Sequence, residues 1–500
     1  MTPALSWLTQ PLPIRRAALI LFLSFAVSRV AYYSAGVRFD LRPLTSNYQL
    51  VDPALLQTRL IETCWYMHTQ PPGFNFLVGI VLKLVAGAAA QTIVFGLVYL
   101  VLSLSSVFAL FFLQCELGVF PLLALILAAL FSVSPGLVLH ENILMYEIPQ
   151  LFALLAGALA LIRLFRSGTV YWLAVFYASI AGIAILRATY HLLWVAIAGF
   201  GVIYFIRRSS VKRISRQMVA AQVLACAAVG VFYVKNFELY HQFAASTFLG
   251  VQANSVTSWQ LTPEKREEFI SKGLISPVSR IAGASPLSSY REFVHPLPRT
   301  GIPILDNVKD STGRDNLNNL QYLEVGDIYI RDAKVLLRIY PQCYLKSVAI
   351  AWFTYFLPDS DFPYFDYNRP KIATWDRWFN VVVLGQWKDA SDRKKLRREG
   401  AGIGMLLYEG TYLLVLLPLA FCYGVSLVIR DWRGKEDPAR TATVAFMLFT
   451  IATVSFISTM FASFECNRYR FPLDGFFVAL LAMGVTTAVR TRVRQPSRDK

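Results

Sequence analysis

Apolar runs of roughly 17 to 25 residues recur along this chain, and a run of that length crosses a hydrocarbon core about 30 Å thick as a helix. Such runs lie near 17–35, 74–90, 91–113, 118–135, 149–165, 170–186, 189–206, 217–234, 344–358, 402–429, 441–462 and 471–489. Inside lipid a helix satisfies its own backbone groups, so the pattern predicts an all-α polytopic membrane protein. Two runs are expected not to cross. The run from 74 opens behind Pro71-Pro72 and is interrupted by Lys83 and Gly87, which suits a short helix dipping into the interface. The run from 344 is short, rich in Trp and Tyr, and flanked by Lys346 and Asp359, as expected at a membrane boundary. The first run follows Arg15 and Arg16 in the manner of a signal peptide. No small-residue cleavage site follows it and further runs do, so it is expected to stay as the first span.

Ten spans remain, and charge agrees with that count. The chain carries +17 over 500 residues, but its basic residues are clumped: Arg207 to Arg216, Arg430 to Arg440 and Arg490 to Lys500. With ten spans all three clumps share one side, as cytoplasmic loops do. The other side receives 36–90, 136–148, 186–189, the long polar stretch 235–401 and 463–470. The basic segment 392–399 is discordant on that outer side, and a crossing at 344–358 would move it inside. Clumping between apolar runs argues against nucleic acid as a partner. With 56% hydrophobic residues and a mean hydropathy of +0.48, the surroundings are membrane lipids. Six scattered cysteines include no CxxC pair, so they signal neither a zinc site nor a disulfide framework. The expected organisation is an N-terminal transmembrane module over 1–234, a polar outer region with interfacial helices over 235–401, and C-terminal transmembrane hairpins with a basic tail over 402–500.

Candidate chemistry collects in the outer loops. Asp40 follows the first span and Glu147 precedes the fourth run of the bundle, in Tyr146-Glu147-Ile148-Pro149. Two carboxylates from separate loops over one pocket suit a transfer reaction, one taking the proton of an attacking hydroxyl and the other orienting substrates or a metal ion. Glu147 equally suits the N-terminus of a helix, where its charge is favoured by the dipole. Asp52 competes with Asp40 for the role of base. His68, Thr69 and Gln70 precede Pro71-Pro72, which stops a helix and holds polar side chains at headgroup depth; there they suit hydrogen bonds to phosphate or sugar, or a solvated turn. The turn Glu465-Cys466-Asn467-Arg468-Tyr469-Arg470 places two arginines between apolar spans, where charge is costly. The guanidinium fork suits a lipid phosphate, and snorkelling to the interface is the alternative. Arg187, with Tyr190 and His191, and Lys235-Asn236 could join the same cradle. Asp359-Ser360-Asp361 matches the short DxD pattern of metal-holding nucleotide-sugar enzymes, without a βαβ unit nearby. No Walker loop, GxSxG or HExxH is present.

In the order of these landmarks the chain resembles the integral-membrane glycosyltransferases of the GT-C fold, particularly the bacterial branch similar to protein O-mannosyltransferases and the aminoarabinose transferase of lipid A. The landmarks are Phe39-Asp40 after the first span, His68-Thr69-Gln70-Pro71-Pro72 resembling that family's His-Pro-Pro-Leu, the acid before proline at Glu147, and the late Glu465–Arg470 turn. The second acid is Glu where Asp is commoner. The resemblance covers most of 15–490 and implies a GT-C-type helical bundle of about 10–12 spans with extracytoplasmic loops. It implies inverting transfer of a sugar from a polyprenyl-phosphate donor to a glycan, lipid or protein acceptor, on the outer face of a bacterial inner membrane. Asp40 and Glu147 would be catalytic. Asp52, His68, Gln70, Arg187, Lys235, Glu465, Asn467, Arg468 and Arg470 would bind substrate. A divalent metal ion is an open cofactor. A transporter or flippase of a lipid-linked glycan is the competing class; it calls for polar residues through the bundle midplane, whereas here they gather at one face.

Overall fold

The computed structural model describes residues 12–207, 214–387, 411–434, 437–462 and 465–494. Within them the chain is helical, and its β-type pairings are two isolated bridges, Asp40–Ile143 and Lys309–Asp315. The helices that frame the site are, in chain order, α1 (Ile14–Ser34), α2 (Gly73–Leu84), α3 (Ala88–Glu116), α4 (Pro121–Ser132), α5 (Pro135–Glu141), α6 (Glu147–Ser167), α7 (Val170–Leu186), α8 (Leu192–Arg207), α9 (Ser215–Tyr240), α10 (Leu249–Val256), α11 (Gln321–Ile339), α12 (Gln342–Tyr355), α13 (Ala373–Val382), α14 (Leu413–Gly434), α15 (Pro438–Phe461) and α16 (Asp474–Arg494).

Seven of the described helices are long and apolar enough to cross a membrane: α1, α3, α6, α9, α14, α15 and the stretch Cys466–Thr491 that contains most of α16. The α4–α5 pair, bent by 55°, makes an eighth if it is one span. The count therefore falls below the expected 10–12. Ten is reached only by adding that pair together with α7 and α8, which have 17 and 16 residues. The bend is local chemistry. Pro135 has no N–H for the preceding turn and opens a new helix, and the Ser134 hydroxyl accepts the Leu137 N–H at 3.3 Å as a cap. Helix α2 has 12 residues and ends before Gly87, where φ is +85°. At 1.5 Å per residue it reaches about 18 Å, too little to cross. Helix α12, with 14 residues, is similarly short.

The bundle is organised around α6, whose apolar stretch is 67% buried and which packs against α3, α7 and α15. Small residues permit close approach where lipid supplies no hydrophobic drive for association. A Cβ at Gly157 would stand 3.2 Å from the Ser179 Cβ, and one at Gly475 only 2.8 Å from a Leu155 methyl. The outer helices α1, α9 and α14 bury only 28% of their apolar stretches, which leaves broad faces for lipid.

Helix α9 runs on to Tyr240 and is closed by His241 in a left-handed conformation (φ 55°). The expected boundary at 234/235 thus cuts a helix, and the polar region begins six residues later. In that region α10 lies on α11, and any Cβ at Gly250 would overlap the Gly326 backbone. Tyr290, Val325 and Tyr329 lie in a separate apolar cluster beside them. Polar bonds fasten this unit to the loop after α1: Arg314 donates to the carbonyl of Leu50 at 2.6 Å and also to that of Asn47. The discordant basic segment 392–399 lies outside the described residues.

Candidate active site

The loop leaving α1 turns at Gly36 (φ 93°) and drives Phe39 against α3, 6.3 Å from the Phe95 ring and 5.2 Å from that of Tyr99. This anchor sets Asp40 beside the segment between α5 and α6. The Asp40 N–H donates to the Asn142 carbonyl at 2.9 Å, and the Leu144 N–H donates to the Asp40 carbonyl at 3.1 Å. The backbone is therefore pinned without help from the side chain. The carboxylate accepts from Arg42 through Nε (2.9 Å), Nη2 (2.7 Å) and the backbone N–H (3.0 Å). Arg42 also reaches Asp366 at 2.7 Å and lies over the Tyr367 ring at 4.8 Å. Bonds to Asp40 above all raise the pKa of this guanidinium, so it stays charged. Asp40 is 4% exposed, yet it lines an open cavity of about 360 Å³ with Pro43, Ser46, Pro363, Tyr364 and Asp366.

Deeper in, the loops before α6, after α7 and before α16 meet. Glu147, the first residue of α6, faces inward, and its Oε1 accepts from Arg468 Nε. Arg187 Nη1 lies 3.7 Å from the same oxygen. Arg468 donates further to Gln49 Oε1 (2.9 Å) and Glu465 Oε2 (3.0 Å), and the Tyr146 hydroxyl donates to that Gln49 oxygen at 2.5 Å. Aromatic faces flank the cations: Tyr469 is 3.8 Å from Arg187, and Phe362 is 5.0 Å from Arg468. Two arginines balance two glutamates, and within the group only Glu465 reaches solvent appreciably. Glu147 Oε2, Arg187 Nη2 and Gln150 Nε2 are buried without a partner, so hydrogen-bonding capacity is left for a polar guest.

No family model matches the chain, and no curated protein matches it. Among solved structures it is similar to the archaeal oligosaccharyltransferase AglB from Archaeoglobus fulgidus, determined in complex with an inhibitory peptide and a dolichol-phosphate, with 11% identity and a TM-score of 0.37 over 96% of this chain and 52% of that one. It is also similar to ArnT from Cupriavidus metallidurans in the apo state, with 12% identity and a TM-score of 0.32 over 93% of this chain and 77% of that one. The chain spans about half the length of the archaeal protein.

Several residues expected at the site are engaged elsewhere. The ring of His68 is 1% exposed, with Nδ1 2.6 Å from the Thr247 hydroxyl and Nε2 2.9 Å from the Asn318 carbonyl. A carbonyl only accepts, so Nε2 carries the proton and Nδ1 accepts from Thr247. His68 fastens its loop to the polar region and has no free nitrogen for a substrate. Gln70 next to it is half-buried. Asp52 caps the helix Pro53–Thr58 by accepting the Ala54 N–H at 2.9 Å and takes the Ser311 N–H at 3.0 Å. Lys235 donates to the Met67 carbonyl at 2.7 Å. Asn467 donates to that of Pro358 at 2.9 Å. Arg470 spends its donors on the carbonyls of Tyr355 and Leu357 and on Asp359 (2.5 Å) and Asp474 (3.0 Å), so it braces the fold. Asp361 pairs with Arg369 at 2.7 Å, and Asp359 with Arg470 at 2.5 Å. Among the described residues no group of three or more His, Cys, Asp or Glu is placed to hold a metal. Between Asp40 and Asp366 the cationic position is taken by Arg42.

Other participants went unnoticed in the sequence. Gln49, Arg42 and Asp366 sit in polar loops where nothing distinguishes them from neighbours. Tyr146 was visible only as the residue before Glu147. Arg29 did carry a signal, being a charge inside an apolar run. It pairs with Glu141 at 2.6 Å, and both are nearly fully buried.

Burial holds the pKa of His68 down at about 3, against an ordinary 6.5, with the nearby Lys235 adding to the effect. Above pH 6.5 folded and unfolded chains both keep the ring neutral. Between about 6.5 and about 3 only the unfolded chain takes up the proton, so stability falls by about 1.4 kcal/mol per pH unit. The thermal unfolding midpoint of wild type should therefore fall as the pH drops from 7 to 4, and His68→Gln should flatten that slope. Equal slopes in the two proteins would remove His68 as its source.

Proposed function

We propose that this chain is a membrane glycosyltransferase that moves a sugar from a polyprenyl-phosphate donor to an envelope or lipid-linked acceptor. The observation that carries the reading is the carboxylate of Asp40 at the wall of an open cavity, joined through one loop to a buried arginine group. The loop 359–366 touches both, because Phe362 packs on Arg468 while Tyr364 and Asp366 line the cavity. In the reaction an acceptor hydroxyl attacks the anomeric carbon from the face opposite the phosphate. Asp40 takes the hydroxyl proton, the new C–O bond forms, and the bond to phosphate breaks with its electron pair leaving on the lipid phosphate. The configuration inverts. Arg42, half exposed, turns from Asp40 to free the carboxylate. Arg468 and Arg187 stabilise the growing phosphate charge, and the unpartnered Arg187 Nη2 is a donor ready to do so. Because the arginines are neutralised by Glu147 and Glu465, the phosphate competes with Glu465, the one carboxylate of the group with access to solvent.

Arg207, Arg430, Arg433 and Arg490 lie towards the ends of α8, α14 and α16 away from these loops, which supports a site facing outside the cytoplasm of a bacterial inner membrane. The test is to place the full chain in nanodiscs with a panel of polyprenyl-phosphate sugars and envelope acceptors and to follow release of lipid phosphate. Release that depends on acceptor is expected. No release from any donor by folded protein would favour movement of a lipid-linked glycan across the membrane instead.

A further inference from the structure

Helix α13 presents two unlike faces. Asp376, Phe379 and Asn380 are buried, whereas Trp375, Trp378 and Val382 are 42%, 64% and 56% exposed at positions three and seven apart, which places them on one side of the helix. Three large apolar groups in a row facing outward mark an interaction surface. Its depth is set by a shared hydrogen bond. The Trp375 indole N–H donates to the Val133 carbonyl at 3.1 Å, and the Tyr32 hydroxyl donates to the same carbonyl at 2.7 Å. Tyr32 belongs to the last turn of α1, a helix long enough to cross the membrane. Trp375 is therefore level with the end of a span, the depth at which tryptophan is enriched in membrane proteins.

We infer that the Trp375–Trp378–Val382 face of α13 docks on the lipid bilayer at its headgroup–acyl boundary, and that this contact supports the wall of the cavity. The bilayer is the occupant because the surface combines indoles, which favour that boundary, with the exposed Arg377 on its flank, suited to headgroup phosphates. Trp375 also shares the Val133 carbonyl with Tyr32 of α1, a helix whose Val27 and Val30 are 68% and 67% exposed. The inner face of α13 transmits the position. Arg369 joins Asp376 at 2.8 Å to Asp361 at 2.7 Å, and Asn380 donates to the Ser360 hydroxyl at 3.2 Å. That loop continues directly into Pro363, Tyr364 and Asp366 of the cavity.

The test is spin-label accessibility in phosphatidylcholine–phosphatidylglycerol nanodiscs. Cys115, Cys226 and Cys422 are replaced, the buried Cys64, Cys343 and Cys466 stay, and single labels are placed at 377 and 378. The label at 378 should collide several-fold more with oxygen than with an aqueous nickel chelate, and the label at 377 should show the reverse. Equal nickel access at both positions would overturn the proposal, as would exclusion of both reagents from 378, which would mean that protein covers it. A second readout needs no labelling. Brominated lipid should quench wild-type tryptophan fluorescence more than that of Trp378→Phe, and identical quenching would equally overturn the proposal.

Discussion

Asp40→Asn is expected to lower sugar transfer by about 10²- to 10⁴-fold, the range set by loss of a general base, while the protein remains folded and still binds donor. The separation of these effects comes from the structure. The loop is pinned by backbone hydrogen bonds to Asn142 and Leu144 and by Phe39 on α3, none of which uses the carboxylate. An amide of the same shape keeps a hydrogen bond from Arg42 but cannot take the acceptor proton. Lipid-phosphate release at saturating donor, measured beside the thermal transition, checks both halves. Turnover at the wild-type rate would remove Asp40 from the chemistry and leave its pairing with Arg42 as a structural bond.

Arg468→Ala should be the most destabilising single change in the site, by about 3–5 kcal/mol, because it strands Glu147 in a buried position. Glu147 would keep only Arg187, at 3.7 Å, and Gln49 would lose the donor that fixes it opposite Tyr146. Loss of activity in that variant would therefore say little by itself about phosphate binding. The informative comparison is the double variant Arg468→Met/Glu147→Leu, in which Glu147 is no longer stranded; the buried Arg187 then loses its carboxylate at 3.7 Å, so part of the stability should return. If the arginine stabilises a leaving phosphate, the double variant folds but stays inactive. Turnover retained by a refolded double variant would make the ion pair a packing device, and a single variant as stable as wild type would contradict its burial.

Much of the scaffold was legible because apolar length is a one-dimensional property. Seven spans are found where uninterrupted apolar runs were read, and α2 and α12 are short, as expected for the runs from 74 and 344. The run read at 118–135 stops at Pro135, and what the sequence reading missed is the helix α5 beyond it, since 136–148 read as an outer turn. Within the site, Asp40, Glu147, Arg187 and Arg468 were named from their position between spans, and the structure brings the last three within hydrogen-bonding or ion-pair reach of one another. His68, Asp52, Lys235, Asn467 and Arg470 were named by the same reasoning and have structural partners.

The sequence alone determined that the chain lives in lipid, where its apolar runs lie and which loops carry charge, because these depend on the residues of one segment and its solvent. Only the tertiary structure decided which charges are free to act. Whether Arg468 or Arg470 has a donor left for a substrate depends on residues more than 100 positions away in the chain, Glu147 and Gln49 for one and Tyr355, Leu357 and Asp359 for the other. A hydrogen bond is satisfied by whatever group lies within about 3 Å, and spacing along the chain does not encode that proximity.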